Sequence, residues 1–191
     1  FGSVPFINGL TDLLHPCQVM ADLMTVYEHK GKLEGLKLAY IGDGNNMAHS
    51  LLYGCAKAGM DIAVATPKNY EPDTEIVENA KEDAKQSGSS VLVTYDPEEA
   101  MANADVVCTD TWVSMGQEDE KAERVKIFRD YQINGALFAK SKEDSIFIHC
   151  LPAYRGYEVT DDVIDGPRSV IFDEAENRMH SIKAVIVATI A

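Results

Sequence analysis

Five short apolar runs, each followed by a helical pattern, constrain this chain more than any other feature. LKLAYIGDG (36–44), DIAVATP (61–67), SVLVTYD (90–96), DVVCTDTW (105–112) and SIFIHCLP (145–152) are nearly continuous in Val, Ile, Leu and Ala at their centres. Between and after them come NNMAHSLLYGCAKAG, DTEIVENAKEDAKQSG, PEEAMANA, DEKAERVKIFRDY and INGALFAKS, all read as helical. Continuous apolar strands alternating with helices mark a parallel sheet covered on both faces. The expected fold is therefore α/β: a three-layer, Rossmann-like domain with a central parallel sheet of about five strands and right-handed crossovers.

The ends are read the same way. Residues 1–14 are a loop punctuated by Gly, Pro and Asn, with Thr11 or Asp12 capping a turn. A helix runs from about Pro16 to His29, with Val19, Leu23 and Val26 on one face, Met20, Met24 and Tyr27 beside it, and Gly31 as its stop. SVIFDE (169–174) is a short sixth extended piece. ENRMHSIKAVIVATIA is a closing helix, and its AVIVATIA stretch is a buried face.

Composition excludes some classes of function. The net charge of −14 argues against a nucleic-acid partner, which needs a basic face. No apolar stretch approaches the roughly 20 residues that cross a bilayer, so no membrane role is expected. Cys17, Cys55, Cys108 and Cys150 are far apart and include no C-x-x-C pair. That spacing fits four reduced thiols, not a metal site or a disulfide framework. It implies a cytoplasmic protein, or one of the mitochondrial matrix in a eukaryote. The chain opens on Phe1 and not on Met, which reads as the interior of something longer.

In open parallel sheets, ligands bind beyond the carboxyl ends of the strands, and reactive residues gather there. GDGNN (42–46) follows the first strand, but G-x-G-x-x-G would need glycine where Met47 stands, so a dinucleotide module is the weaker reading. Asn45 or Asn46 either caps the next helix or grips a carboxylate. In DTWVSMG (110–116), Asp110 suits an amine and Ser114 with the backbone at Met115 suits a polar end group. The alternative is a capped loop with Trp112 in the core. HCLP (149–152) offers the Cys150 thiol, either inert or reactive. His149 points to the opposite face, so it is not the base for that thiol. His15 and Gln18 share a helix face, as a cap or as a carbonyl-binding pair. Arg178 in EAENR is either paired on the surface with Glu174 and Glu176 or an anion clamp.

HPCQ, GDGNN, DTWVSMGQE, HCLPAYRG and FDEAENR, in this order and spacing, resemble the ornithine carbamoyltransferases over essentially the whole chain. The S-T-R-T-R segment with which that family binds carbamoyl phosphate is absent. The resemblance thus implies the ornithine-binding part of a two-domain enzyme, inactive alone. It divides the chain into an inter-domain loop and linking helix (1–32), an ornithine-binding domain (33–174) and a closing helix (175–191) that returns to the missing amino-terminal domain. It assigns Asn46, Asp110, Ser114 and Met115 to ornithine, with Asn45 assisting. It assigns His15, Gln18, Cys150, Leu151 and Arg178 to carbamoyl phosphate, with His15, Cys150 and Arg178 catalytic, and gives Arg155 no role. It implies no metal and no organic cofactor. The whole enzyme is expected to be a homotrimer or larger, making citrulline in arginine metabolism. A non-catalytic amino-acid-binding domain is the other alternative.

Overall fold

A computed structural model describes residues 3–113 and 118–190. Ser114 and Met115, both expected to bind ornithine, lie outside the described residues.

Five strands form one parallel sheet: β1 Lys37–Ile41, β2 Asp61–Ala65, β3 Val91–Thr94, β4 Val106–Thr109 and β5 Ile146–His149. Their spatial order is β3-β2-β1-β4-β5. The helices are α1 Pro16–Lys30, α2 Asn46–Ala58, α3 Thr74–Ser87, α4 Pro97–Met101, α5 Lys121–Phe128, α6 Gly135–Phe138, α7 Asp161–Ile164 and α8 Ile171–Ile190. This is the expected three-layer architecture with five parallel strands.

Strand alternation builds two cores. Leu38 and Tyr40, Ile62 and Val64, Val106 and Cys108, and Ile146 and Ile148 face α1, α2 and α3. Ala39, Ile41, Ala63, Ala65, Val107 and Phe147 face α4, α6 and α7. Each fully buried aliphatic side chain contributes roughly 1.5–3 kcal/mol, so the central strands hold the sheet between its layers. The alanines on the second face leave room for α4 to lie close.

Local signals set the helix ends. Asn45, Asp73 and Asp96 cap α2, α3 and α4 through their side-chain oxygens. Gly31, Gly59 and Gly88 close α1, α2 and α3 at positive φ. Thr11 Oγ1 accepts from the Leu14 N–H at 3.1 Å, closing a turn before α1. At Gly54, a Cβ would run into Val19 of α1, so glycine there sets how closely α1 and α2 approach.

Several expectations at the carboxyl-terminal end are corrected. SVIFDE is not a sixth strand: Ser169 makes a single bridge to Phe147, and α8 begins at Ile171. INGALFAKS is helical only over Gly135–Phe138, because Ile133 bridges to Val159 instead. The end of α8 is not buried either, since Val187 is 62 % and Ile190 70 % exposed. The reason is the antiparallel packing of α8 on α1. Asp173 meets His29, Asn177 meets Thr25, and Arg178 meets Gln18, so α8 outruns the start of α1. On α1, Val19 and Val26 are buried while Met20 and Tyr27 face outward. Among the described residues, no helix is long and apolar enough to cross a membrane.

Candidate active site

The chain reverses its direction of sheet growth between β1 and β4, and a crevice opens there at the carboxyl ends of the strands. Two turns meet across it. Asn45, after β1, accepts at Oδ1 from the N–H groups of Met47 (3.0 Å) and Ala48 (3.3 Å), capping α2. The Nδ2 of the same side chain donates to Asp110 Oδ2, after β4, at 2.8 Å. Asn45 thus caps the helix and holds a carboxylate of the protein itself, that of Asp110. Asn46 donates to the Thr11 carbonyl at 2.9 Å and faces the cavity.

Asp110 is buried, and its other oxygen, Oδ1, accepts from the Thr111 N–H (2.7 Å) and from the Cys150 thiol (3.2 Å). Burial, then the Asp110 charge, push the Cys150 thiol well above its ordinary value. A proton held this firmly makes Cys150 a hydrogen-bonding group and not a thiolate. His149 projects away from this cluster, as strand alternation requires. Its Nδ1 accepts from the Leu151 N–H at 2.9 Å, and its Nε2 lies 3.4 Å from buried Glu158. Leu151 sits at φ 55, in the left-handed region that side chains with a Cβ seldom enter.

A cavity of about 340 Å³ opens over these groups, with a volume in the range of small-molecule sites. His15, Asn46, Asp110, Cys150, Leu151 and Arg178 all line it. They come from five separate elements, and the fold brings them together. His15 stands just before α1, fixed by a 2.7 Å bond from its backbone N–H to Ser50 Oγ. Its Nδ1 is buried without a partner. Burial, then the nearby Arg178 charge, lower its pKa, so the ring stays neutral near pH 7. Arg178 lies two turns into α8, and its Nε is also buried and unpartnered. It does not form the surface pair considered above. Glu174 turns inward, and Glu176 meets His180 at 3.2 Å.

Gln18 is not on the cavity wall. It is 1 % exposed, and both ends of its amide are occupied: Nε2 donates to Asp22 (2.7 Å) and Glu174 (2.9 Å), and Oε1 accepts from Arg178. Arg155 pairs with Asp165 at 2.6 Å, away from the site. Trp112 is both core and wall: it stacks on Phe128 with ring centres 6.0 Å apart and lines the cavity.

Three site-building residues escaped the sequence. Asp22 and Glu174 lie under Arg178, and Arg124 anchors the turn after β4. Arg124 Nε donates to the Trp112 carbonyl at 2.5 Å, and its Nη2 pairs with Asp43 in the turn after β1. One visible signal was the polar stripe Gln18, Asp22 and Thr25, at helical spacing along an otherwise apolar face. Arg124 sits in a charged run that gives no such sign. Among the described residues, no group of three His, Cys, Asp or Glu is arranged to hold a metal ion.

Comparison with known proteins gives the family. The family model described as "Aspartate/ornithine carbamoyltransferase, Asp/Orn binding domain" matches residues 34–189. An ornithine carbamoyltransferase of Caldicellulosiruptor saccharolyticus is 60 % identical over 187 residues, covering 98 % of this chain and 61 % of that protein. The crystal structure of the Gloeobacter violaceus ornithine carbamoyltransferase superposes with a TM-score of 0.92 at 51 % identity, over 99 % of this chain and 63 % of that one. The Pyrococcus furiosus ornithine carbamoyltransferase structure gives 0.93 at 54 %, over 97 % and 59 %. The chain thus spans about three-fifths of the relatives it matches. With that match across the sheet and all its strand ends, this chain belongs to the aspartate/ornithine carbamoyltransferase family, as an Asp/Orn binding domain.

Proposed function

We propose that this chain is the ornithine-binding part of an ornithine carbamoyltransferase, which transfers the carbamoyl group of carbamoyl phosphate to the δ-amine of ornithine, giving citrulline and phosphate. One observation carries the reading. Asp110, held by Asn45, and Cys150 line the same cavity as His15 and Arg178. A carboxylate beside a neutral thiol suits a diamine, while a guanidinium and an imidazole suit a carbonyl oxygen.

Asp110 receives the α-amine of ornithine, and Asn46 its carboxylate, together with Ser114 and Met115. Cys150 already donates its S–H to Asp110. Its sulfur lone pairs are free to accept a hydrogen from the δ-amine, whose unperturbed pKa of about 10.4 resembles that of Lys. A dry cavity favours the neutral amine. That amine attacks the carbamoyl carbon and forms the new C–N bond. The C–O bond to phosphate breaks with its electron pair, and one proton is released. Arg178, His15 and the Leu151 carbonyl hold the carbamoyl group. A well-placed donor to a developing oxyanion contributes roughly 3 kcal/mol in other enzymes, and holding two substrates together supplies much of the rest.

The remaining parts of the reading concern the whole protein. Segments 1–32 and 175–191 flank a central unit, 33–174, and join it to an amino-terminal domain that binds carbamoyl phosphate. Phe6, 97 % exposed, and Phe172, 75 % exposed, supply apolar surface for such a domain. The complete enzyme is a homotrimer or larger. It works in the cytoplasm, or in the mitochondrial matrix of a eukaryote. Relatives named anabolic and catabolic match at 54 % and 58 % identity, so both directions of arginine metabolism are open to it.

The test is citrulline formation from ornithine and carbamoyl phosphate. The chain alone should give none, and activity should appear when the amino-terminal portion of the enzyme is restored. Turnover by the isolated chain contradicts the shared site. Its absence in the restored enzyme contradicts the reaction.

A further inference from the structure

Beneath the cavity lie two carboxyl groups that the chemistry above does not use. Asp22 on α1 and Glu174 on α8 are each 1 % exposed. The Gln18 side-chain nitrogen donates to Asp22 Oδ1 at 2.7 Å and to Glu174 Oε1 at 2.9 Å. With both N–H bonds committed, the Gln18 carbonyl faces Arg178 and accepts from its Nη1. Glu174 Oε2 accepts from the backbone N–H of His149 at 2.7 Å, one residue before Cys150. The two ends of an amide differ little in shape, so partners alone fix its orientation. Turned round, Gln18 would set its oxygen against two carboxyl groups and its N–H bonds against a guanidinium.

We propose that Asp22 and Glu174 are positioning residues: through the fixed amide of Gln18 they aim Arg178 into the cavity, and Glu174 also holds the strand end that bears Cys150. The inference rests on the roles given to Arg178 and Cys150 above. The two carboxyl groups share one proton. Asp22 Oδ2 is buried and has no donor among the other groups around it. A proton on Glu174 supplies one and removes the repulsion between two buried anions. Burial, then the Asp22 charge, push Glu174 well above the usual carboxylate range, and burial raises Asp22 to about 6. The charged groups facing the pair are Arg178 from α8 and Asp110 from the end of β4. The thiols of Cys55, Cys108 and Cys150 around it are each pushed up by burial. One net negative charge therefore lies under Arg178, relayed through a neutral amide.

Three substitutions in the complete enzyme test this by citrulline formation. Asp22→Ala removes one anchor of the amide, so kcat should fall at least tenfold while the KM for ornithine moves less than threefold. Asp22→Asn accepts from Gln18 and offers Glu174 an N–H in place of the proton, so it should recover most of that loss. Glu174→Gln should not recover, because one of the two accepting oxygens becomes an NH2 that must face an N–H of Gln18 or of His149. If Asp22→Asn is as slow as Asp22→Ala, or if the loss appears in the ornithine KM, the inference is wrong. Should Asp22→Ala not fold, the two near-isosteric variants carry the same contrast.

Side-chain NMR of the 191-residue chain gives a readout free of turnover. The Arg178 Nε–H signal should stay in place in Asp22→Asn and shift in Glu174→Gln, together with the Cys150 amide. An Arg178 signal indifferent to Glu174→Gln overturns the positioning role. An Arg178→Ala enzyme with unchanged turnover instead sinks the role given to Arg178.

Discussion

Asn45 Nδ2 donates to Asp110 Oδ2 at 2.8 Å, joining the turn after β1 to the turn after β4 across the switch point of the sheet. The other end of the same amide caps α2. One side chain thereby ties the start of a helix to the carboxylate that receives the substrate amine in our reading. Asn45→Ala should destabilise the chain by about 1–3 kcal/mol, from the lost cap and from the buried carboxylate left short of a donor. Urea unfolding measures this, and a change within experimental error would mean the bridge contributes nothing.

Cys150 should be a slow nucleophile despite its place on the cavity wall. Its raised pKa lowers the thiolate fraction at any given pH. Alkylation by iodoacetamide, followed by mass spectrometry of the peptide, should be slower at Cys150 than for free cysteine at pH 7. The rate should still be rising above pH 9. Faster labelling than free cysteine at neutral pH would contradict the hydrogen-bonding role.

The buried carboxyl pair should make stability depend on pH in a defined direction. The folded value of Asp22, about 6, lies above its ordinary value of 3.8. The folded chain therefore binds more protons between those values, and that stabilisation disappears as pH rises through the folded pKa. Between pH 5 and pH 7 the wild-type chain should lose about 1 kcal/mol relative to Asp22→Asn. Parallel urea titrations at the two pH values give the difference. A wild-type chain that gains stability relative to Asp22→Asn as pH rises reverses the sign and refutes the assignment.

Arg124 should matter more than its place in a charged run suggests. It is buried, pairs with Asp43, and lies over the ring of Tyr70 at 5.0 Å. Arg124→Ala leaves Asp43 buried and unpaired, which should cost about 3–5 kcal/mol. Loss of the Trp112 contact should also weaken ornithine binding in the complete enzyme, read by calorimetry. A loss below 1 kcal/mol would mean that water replaces the guanidinium.

Gly54 tests the close approach of α1 and α2. Gly54→Ala places a methyl against Val19 and should cost about 1–3 kcal/mol. Adding Val19→Ala should return part of the loss, as thermal unfolding of the double variant would show. If the two losses simply add, the helices do not meet there.

The sequence by itself determined the layers, the parallel sheet and the rim on which Asp110 and Cys150 stand. All of these follow from side-chain periodicity and from turn residues close together in the chain. Tertiary structure alone decided that Gln18 is a buried strut and not a wall, that α8 starts early and ends exposed, and that Arg124 reaches Asp43. Gln18 and Glu174 are 156 residues apart, and no local pattern encodes which way an amide will face. That depends on hydrogen bonds completed only once α1 and α8 have packed together.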